Sequence, residues 1–94
     1  MPMPPSRIRA GRARARPPLP TALRTLARIR SEDKEAFARV RRDIAALADQ
    51  PHPDRAVAWG GTNIFRLHTG ETRILYEVDE EASTVCIINI GRVS

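Results

Sequence analysis

Two patterns of apolar residues divide the chain. Between residues 19 and 49, apolar positions recur every three or four residues, which is the period of an amphipathic helix. From Asn63 onward the period changes to two, which is typical of strands with one buried face. The sequence therefore predicts helices followed by strands, an α+β arrangement.

Two helices are predicted in the first half. The first runs from Leu19 to Arg30 with Thr21 as its N-cap, and Leu23, Leu26 and Ala27 share one face at helical spacing with Arg30. The second runs from Ser31 to Asp49 with Ser31 as its N-cap, and its apolar seam is formed by Phe37, Val40, Ile44 and Leu47. The short link between them predicts an antiparallel helical hairpin.

Three main strands are predicted in the second half. Asn63–Thr69 and Arg73–Asp79 flank a turn at Gly70, and Thr84–Ile90 follows an acidic turn. A short strand is also predicted at A-V-A-W, residues 56–59. Because Thr84–Ile90 is almost entirely apolar, we expect it to be central and covered on both faces. The predicted fold is an N-terminal helical hairpin packed on a three- to four-stranded antiparallel sheet.

Charge is distributed unevenly. Residues 1–30 contain eight arginines and no acid, a charge of +8. Residues 31–94 contain eight Lys/Arg and eleven Asp/Glu, a charge of −3, which gives the net charge of +5. Residues 1–18 are rich in Arg and Pro and are predicted to be disordered, which leaves residues 19–94 as the folded domain. The segment is compatible with a basic arm that meets nucleic acid or acidic protein, a targeting peptide, or a solvated tail with no role.

The remaining composition limits the class of protein. Cys86 is the single cysteine and lies in an apolar run, so we expect a small buried side chain and no intrachain disulfide, which fits the cytoplasm. No apolar stretch approaches the roughly 20 residues needed to span a bilayer.

Cationic side chains gather on the hairpin formed by residues 63–77. Arg66, His68 and Arg73 lie on its two strands, and guanidinium groups with a titratable ring suit a phosphate. Alternatively, the two arginines pair with Glu71 or Glu77 across the hairpin.

Trp59, the only tryptophan, precedes Gly60-Gly61 and has two interpretations. It either fills the core beneath the sheet or provides a platform on which a nucleobase stacks.

The run A-W-G-G-T-N-I-F-R-L-H-T-G-E-T-R-I-L-Y-E-V-D-E-E, followed by V-C-I-I-N-I-G-R, resembles the RelE/ParE superfamily of bacterial type II toxin–antitoxin toxins. Residues 20–94 carry the resemblance. The positions that match or nearly match the family's pattern are Phe65, Arg66, His68, Gly70, Arg73, Tyr76, Glu77, Gly91 and Arg92.

The resemblance implies a microbial RNase-like fold and a cytoplasmic toxin silenced by a cognate antitoxin. In the ribonuclease branch it implies an endoribonuclease, an mRNA interferase that cuts messenger RNA in the ribosome without metal or cofactor. Arg73 and Arg92 would hold the scissile phosphate in one cleft with Arg66. His68 would act as general acid or base. Ribonuclease members often carry a Tyr or His in a C-terminal tail, a part that Tyr76 or His68 would take here.

The resemblance leaves two other functions open. A ParE-like member would inhibit DNA gyrase by binding, and a catalytically degenerate member would bind the antitoxin only.

Overall fold

Two helices pack against one face of a five-stranded sheet. The computed structural model describes residues 13–59 and 63–92. In chain order the elements are β1 (Arg14–Ala15), α1 (Pro20–Glu32), α2 (Lys34–Asp49), β2 (Val57–Ala58), β3 (Ile64–Thr69), β4 (Thr72–Asp79) and β5 (Thr84–Arg92). The strand order is β1-β5-β4-β3-β2. The α+β class and the helical hairpin on a sheet are confirmed, with one strand more than predicted.

The additional strand, β1, lies in the segment that was expected to be disordered. It runs parallel to β5, whereas the other strand pairs are antiparallel. Arg14 N–H donates to the Ser83 carbonyl at 2.7 Å, and Ala13 N–H donates to the Ala48 carbonyl at 2.8 Å. β1 has only two residues and is held by main-chain hydrogen bonds, so no alternating pattern of side chains marks it in the sequence. The expectation of disorder is therefore wrong for residues 13–18, while residues 1–12 lie outside the described part.

Both helices begin at residues other than those predicted. α1 has Leu19 as N-cap and Pro20 in its first turn, where a missing N–H costs nothing. The Thr21 hydroxyl instead donates to the Ile88 carbonyl of β5 at 3.3 Å. Ser31 belongs to the last turn of α1, and the carboxylate of Asp33 caps α2 by accepting from Ala36 N–H at 3.0 Å. Asp33 is thus the single residue between the two helices.

The core lies between the helices and the sheet. The α2 seam is confirmed, since Val40 and Leu47 are buried, with Phe37 and Ile44 packed against the core. α1 is rotated by about one residue from its predicted orientation: Ala22 and Ile29 face the core, while Leu23 is 48% exposed. The other members of this buried apolar cluster are Ala36 of α2, Ala13 just before β1, and Leu67, Ile74, Tyr76, Val78, Val85, Ile87 and Ile90 of the sheet.

A β-bulge in β5 decides which side chains face the core. Tyr76 is opposite Ile87 and Leu75 is opposite Asn89, so Ile88 is an extra residue in β5. Strict alternation would place Ile87 and Ile90 on opposite faces, yet both are 3% exposed and belong to the core. The extra residue turns Asn89 toward the other face. The prediction that β5 is covered on both faces therefore holds only for its first half, because Asn89 is exposed.

The β3–β4 hairpin matches its predicted position. Thr69 pairs with Thr72, which leaves Gly70 and Glu71 as a two-residue turn. Gly70 has a φ of 61°, the left-handed backbone that a type II′ turn requires at its first central position. Neither helix of the described part is long and apolar enough to cross a membrane.

The observed caps yield a prediction about stability. Replacing Asp33 by Ala removes the acceptor for Ala36 N–H and should lower the free energy of unfolding by about 0.5–2 kcal/mol. Ser31→Ala is the matched control, because Ser31 only donates to the Arg28 carbonyl within α1, and it should change stability by less than about 0.5 kcal/mol. Urea unfolding measures both. A larger loss for Ser31→Ala would contradict the observed helix boundary.

Candidate phosphate-binding cleft

The open face of the sheet carries a cleft of about 250 Å³, lined by Trp59, Arg66, Arg73, Leu75, Asn89 and Gly91. The strand register explains this set, because directly paired residues point to the same face. Arg66 pairs with Leu75, Leu75 with Asn89, and Arg73 with Gly91. Their neighbours in sequence, such as Leu67 and Ile74, face the core.

Trp59 forms one wall of this cleft and is 47% exposed, so the interpretation of Trp59 as a core residue is wrong. The main-chain N–H of Trp59 donates to the Ile64 carbonyl at 2.8 Å, which fixes the backbone just after β2. The Arg66 guanidinium carbon lies 4.7 Å from the centroid of the indole ring. This cation–π contact contributes about 0.5–1 kcal/mol at an exposed site and holds Arg66 without neutralising its charge.

The two arginines of the cleft are not balanced by carboxylates of the described chain. Neither Arg66 nor Arg73 forms an ion pair with another described residue, so the alternative of pairing with Glu71 or Glu77 is not realised. Gly91 is the cross-strand neighbour of Arg73, and a Cβ atom on Gly91 would lie 3.5 Å from Arg73 Nη2. A larger side chain at this position would occupy the space of the guanidinium.

The other two predicted site residues lie outside the cleft lining. His68 is paired with Arg73, so it shares the open face, where it is exposed beyond the end of the cleft. Arg92 is paired with Thr72, which is buried on the helix-bearing face, so Arg92 projects to that side. The expectation that Arg92 joins this cleft is therefore not met, because Gly91 takes the cleft-facing position of β5.

Asn89 is a cleft residue that sequence reasoning missed. Its Oδ1 accepts the Ile90 N–H at 2.8 Å, so its amide nitrogen is the group available to donate to a ligand. In the sequence, Asn89 is the only strongly polar residue within the predicted apolar strand Thr84–Ile90. Its direction depends on the bulge at Ile88, which the sequence pattern does not reveal.

Tyr76 does not substitute for a catalytic group in this cleft. Its side chain is buried on the core face, and its hydroxyl donates to the Pro51 carbonyl at 2.8 Å. Burial raises the pKa of Tyr76 from 10.0 to about 12, which opposes proton transfer near neutral pH. Among the described residues, those that line the cleft include neither a carboxylate nor an imidazole.

A second concavity, the helical groove, lies between α1 and α2. Its volume is about 430 Å³, and its lining includes Leu23, Leu26, Ala27, Phe37, Ile44 and Ala45. Arg30 and Arg41 form its cationic rim, with guanidinium carbons 5.8 and 6.0 Å from the centroid of the Phe37 ring. Leu23, which was predicted to face the core, faces this groove instead.

Known proteins similar to this chain agree with the fold. The model of the ParE toxin family of type II toxin–antitoxin systems matches residues 19–94, well over half of the chain. The chain therefore belongs to this family and is a RelE/ParE-type toxin of a toxin–antitoxin system, as the sequence resemblance indicated. No curated protein matches the sequence significantly.

Solved structures of RelE proteins share the architecture. RelBE2 of Mycobacterium tuberculosis, a toxin–antitoxin complex, has 23% identity and a TM-score of 0.71, covering 86% of this chain and 98% of that chain. The RelE–RelB complex of Pyrococcus horikoshii OT3 has 18% identity and a TM-score of 0.75, covering 87% and 96%. Isolated RelE of E. coli has 13% identity and a TM-score of 0.73, covering 87% and 85%. At these identities the likeness establishes the fold alone.

The buried tyrosine gives a pH prediction. Tyr76 is the only tyrosine, so tyrosinate absorbance reports one group. The folded protein should titrate at about pH 12, whereas the protein in denaturant should titrate near pH ~10. Since the folded pKa is the higher one, the stability that this group contributes should be complete below pH ~10 and lost as the pH rises toward 12.

The control is Tyr76→Phe, whose stability should lack this alkaline loss. A tyrosine that titrates near pH ~10 in the folded protein would contradict its burial.

Proposed function

We propose that this toxin is an endoribonuclease that cuts messenger RNA in the ribosome, in the cytoplasm, and that the cleft receives the scissile phosphate. The observation that carries the proposal is the convergence of Arg66, Arg73 and the exposed Trp59 ring on one open face. Two uncompensated guanidinium groups beside an aromatic surface match the phosphate and the base of a single-stranded nucleotide.

The chemistry that fits this arrangement is transfer within the RNA chain. The ribose 2′-oxygen forms a bond to the adjacent phosphorus, the bond from phosphorus to the 5′-oxygen breaks, and a 2′,3′-cyclic phosphate and a 5′-hydroxyl result. Negative charge increases on the phosphoryl oxygens in the transition state. Arg66 and Arg73 would stabilise that charge through bidentate hydrogen bonds.

Proton transfer in this scheme falls to His68. The 2′-hydroxyl loses a proton and the 5′-oxygen gains one, and the nitrogens of an imidazole ring can accept or donate a proton. His68 is paired with Arg73 and shares the open face, so a phosphate on Arg73 would lie on the same side as the ring. The neighbouring base would stack on Trp59, and the Asn89 amide would donate to the nucleotide.

The central role of Arg73 can be tested in cells and in vitro. Arg73→Ala should abolish growth arrest, and RNA affinity should fall by roughly tenfold or more, because a hydrogen bond to a charged group contributes about 1.5–3 kcal/mol. Arg42→Ala is the matched control, since Arg42 is exposed on α2 and outside the cleft lining. Growth curves, mapping of RNA 5′ ends and circular dichroism give the readouts. A folded Arg73→Ala protein with full toxicity would overturn the phosphate site.

Inhibition of DNA gyrase by binding is the second candidate. Two observations favour it: the matching family model is that of ParE toxins, and the cleft-lining residues that the structure describes include no imidazole or carboxylate. The same induction experiment separates the candidates. Cuts within codons support the nuclease, whereas intact messages with a DNA-damage response support gyrase. Antitoxin binding with no growth arrest would identify a degenerate toxin.

We further propose that the cognate antitoxin occupies the helical groove. RelBE2 of M. tuberculosis is a toxin–antitoxin complex and the P. horikoshii structure is a RelE–RelB complex, which supports a protein partner for this fold. The groove has an apolar floor between Arg30 and Arg41. It is therefore complementary to an amphipathic segment whose apolar face is flanked by acids.

Leu23→Gln tests this interface with little effect on folding, since Leu23 is 48% exposed. Losing the burial of a leucine side chain costs about 1.5–3 kcal/mol, so affinity for the antitoxin should fall roughly tenfold or more. Val57→Gln is the matched control, because Val57 is 52% exposed on β2 and lies outside the groove lining. Calorimetric titration with the cognate antitoxin measures both, and equal affinities would exclude the groove as the interface.

A further inference from the structure

A second cationic depression adjoins the cleft on the far side of Asn89. It has a volume of about 330 Å³ and is lined by Thr21, Arg24, Thr25, Arg28 and Asn89. We call it the α1 site. Asn89 lines both the cleft and the α1 site, so the two depressions meet at this residue.

The course of β1 explains why the α1 site is open. β1 pairs only with Thr84 and Val85, at the start of β5. The Leu19 N–H donates to the Ile87 carbonyl at 3.0 Å, and the chain then enters α1. The rest of that edge of β5 has no strand partner in the described part of the chain. The Thr21 hydroxyl, bonded to the Ile88 carbonyl, holds the first turn of α1 beside this edge. The passage from the cleft across Asn89 is therefore not blocked by another strand.

The charge of the α1 site is positive and uncompensated. Arg24 and Arg28 are one turn apart on α1, and like charges at this spacing destabilise an isolated helix. Residues 13–31 contain no acid, and neither arginine forms an ion pair with another described residue. The hydroxyls of Thr21 and Thr25 donate to main-chain carbonyls, so the guanidinium groups are the main donors that remain for a ligand.

We infer that the α1 site binds the phosphate of a neighbouring nucleotide, so that a single RNA strand held in the cleft continues over Asn89 and along α1. This inference rests on the proposed function of the cleft. The described residues that line the α1 site include no apolar side chain, which makes the site unsuitable for an amphipathic protein segment and suitable for a phosphate backbone. The arrangement assigns the cleft to the reacting nucleotide and the α1 site to strand positioning.

The test compares short and long RNA on the full-length protein. Trp59, the only tryptophan, lines the cleft and reports its occupancy by fluorescence. The probes are 2′-O-methyl oligonucleotides of two and eight nucleotides, which cannot be cleaved through the 2′-oxygen. The octamer can reach the α1 site, whereas the dinucleotide is confined to the cleft.

Arg24→Gln/Arg28→Gln should leave dinucleotide binding unchanged and weaken octamer binding about tenfold at 0.1 M salt. The slope of log K against log salt should fall by about 0.7, the loss of one phosphate contact on a single strand. Arg24→Lys/Arg28→Lys keeps the charge and should keep most of the slope. Lys34→Gln/Arg42→Gln removes the same charge from exposed residues of α2 that line neither site, and should change the octamer slope little.

The outcomes separate this inference from the function on which it rests. If both oligonucleotides change Trp59 emission in the unaltered protein but Arg24→Gln/Arg28→Gln binds the octamer like Lys34→Gln/Arg42→Gln, the α1 site is overturned and the cleft stands. If neither oligonucleotide changes Trp59 emission in the unaltered protein, the nucleotide-binding cleft is overturned and the α1 site falls with it.

Discussion

The single extra residue in β5 is the constraint on which both faces of the sheet depend. It lets one strand place Ile87 and Ile90 in the core and still present Asn89 and Gly91 to the cleft. Without it, an uninterrupted alternation would exchange a core isoleucine for a polar side chain. A bulge next to a candidate site is a common way to redirect a side chain without losing strand pairing. The fold and the cleft are therefore set by the same local irregularity.

Strong local signals made much of this structure predictable. The change of period near Asn63 located the hairpin, and Gly70 located its turn, because only a few residues tolerate the backbone needed there. Arg66 and Arg73 were correctly expected on one small area, since their register across a short turn leaves little freedom. The order of motifs also indicated the family that the comparisons established.

The features that were missed depend on non-local pairing. β1 consists of two residues held by main-chain bonds to β5, which propensity does not report. The sequence allowed Trp59 in the core and Arg92 in the cleft. In the structure Trp59 lines the cleft, and the strand register directs Arg92 to the helix-bearing face. Helix α1 was rotated by about one residue, because Ala22 carries a weaker apolar signal than its neighbour Leu23. Leu23 consequently lines the helical groove instead of the core.

Asp33 has a consequence for how a partner can bind. Its N–H closes α1 through the Ile29 carbonyl, and its carboxylate opens α2 through Ala36 N–H. One residue thereby fixes both helix ends, and little backbone freedom remains to change the separation of α1 and α2. The helical groove is consequently preorganised, so the toxin loses little conformational entropy on association. In the complex proposed above, the ordering cost would therefore fall mainly on the partner segment rather than on the toxin.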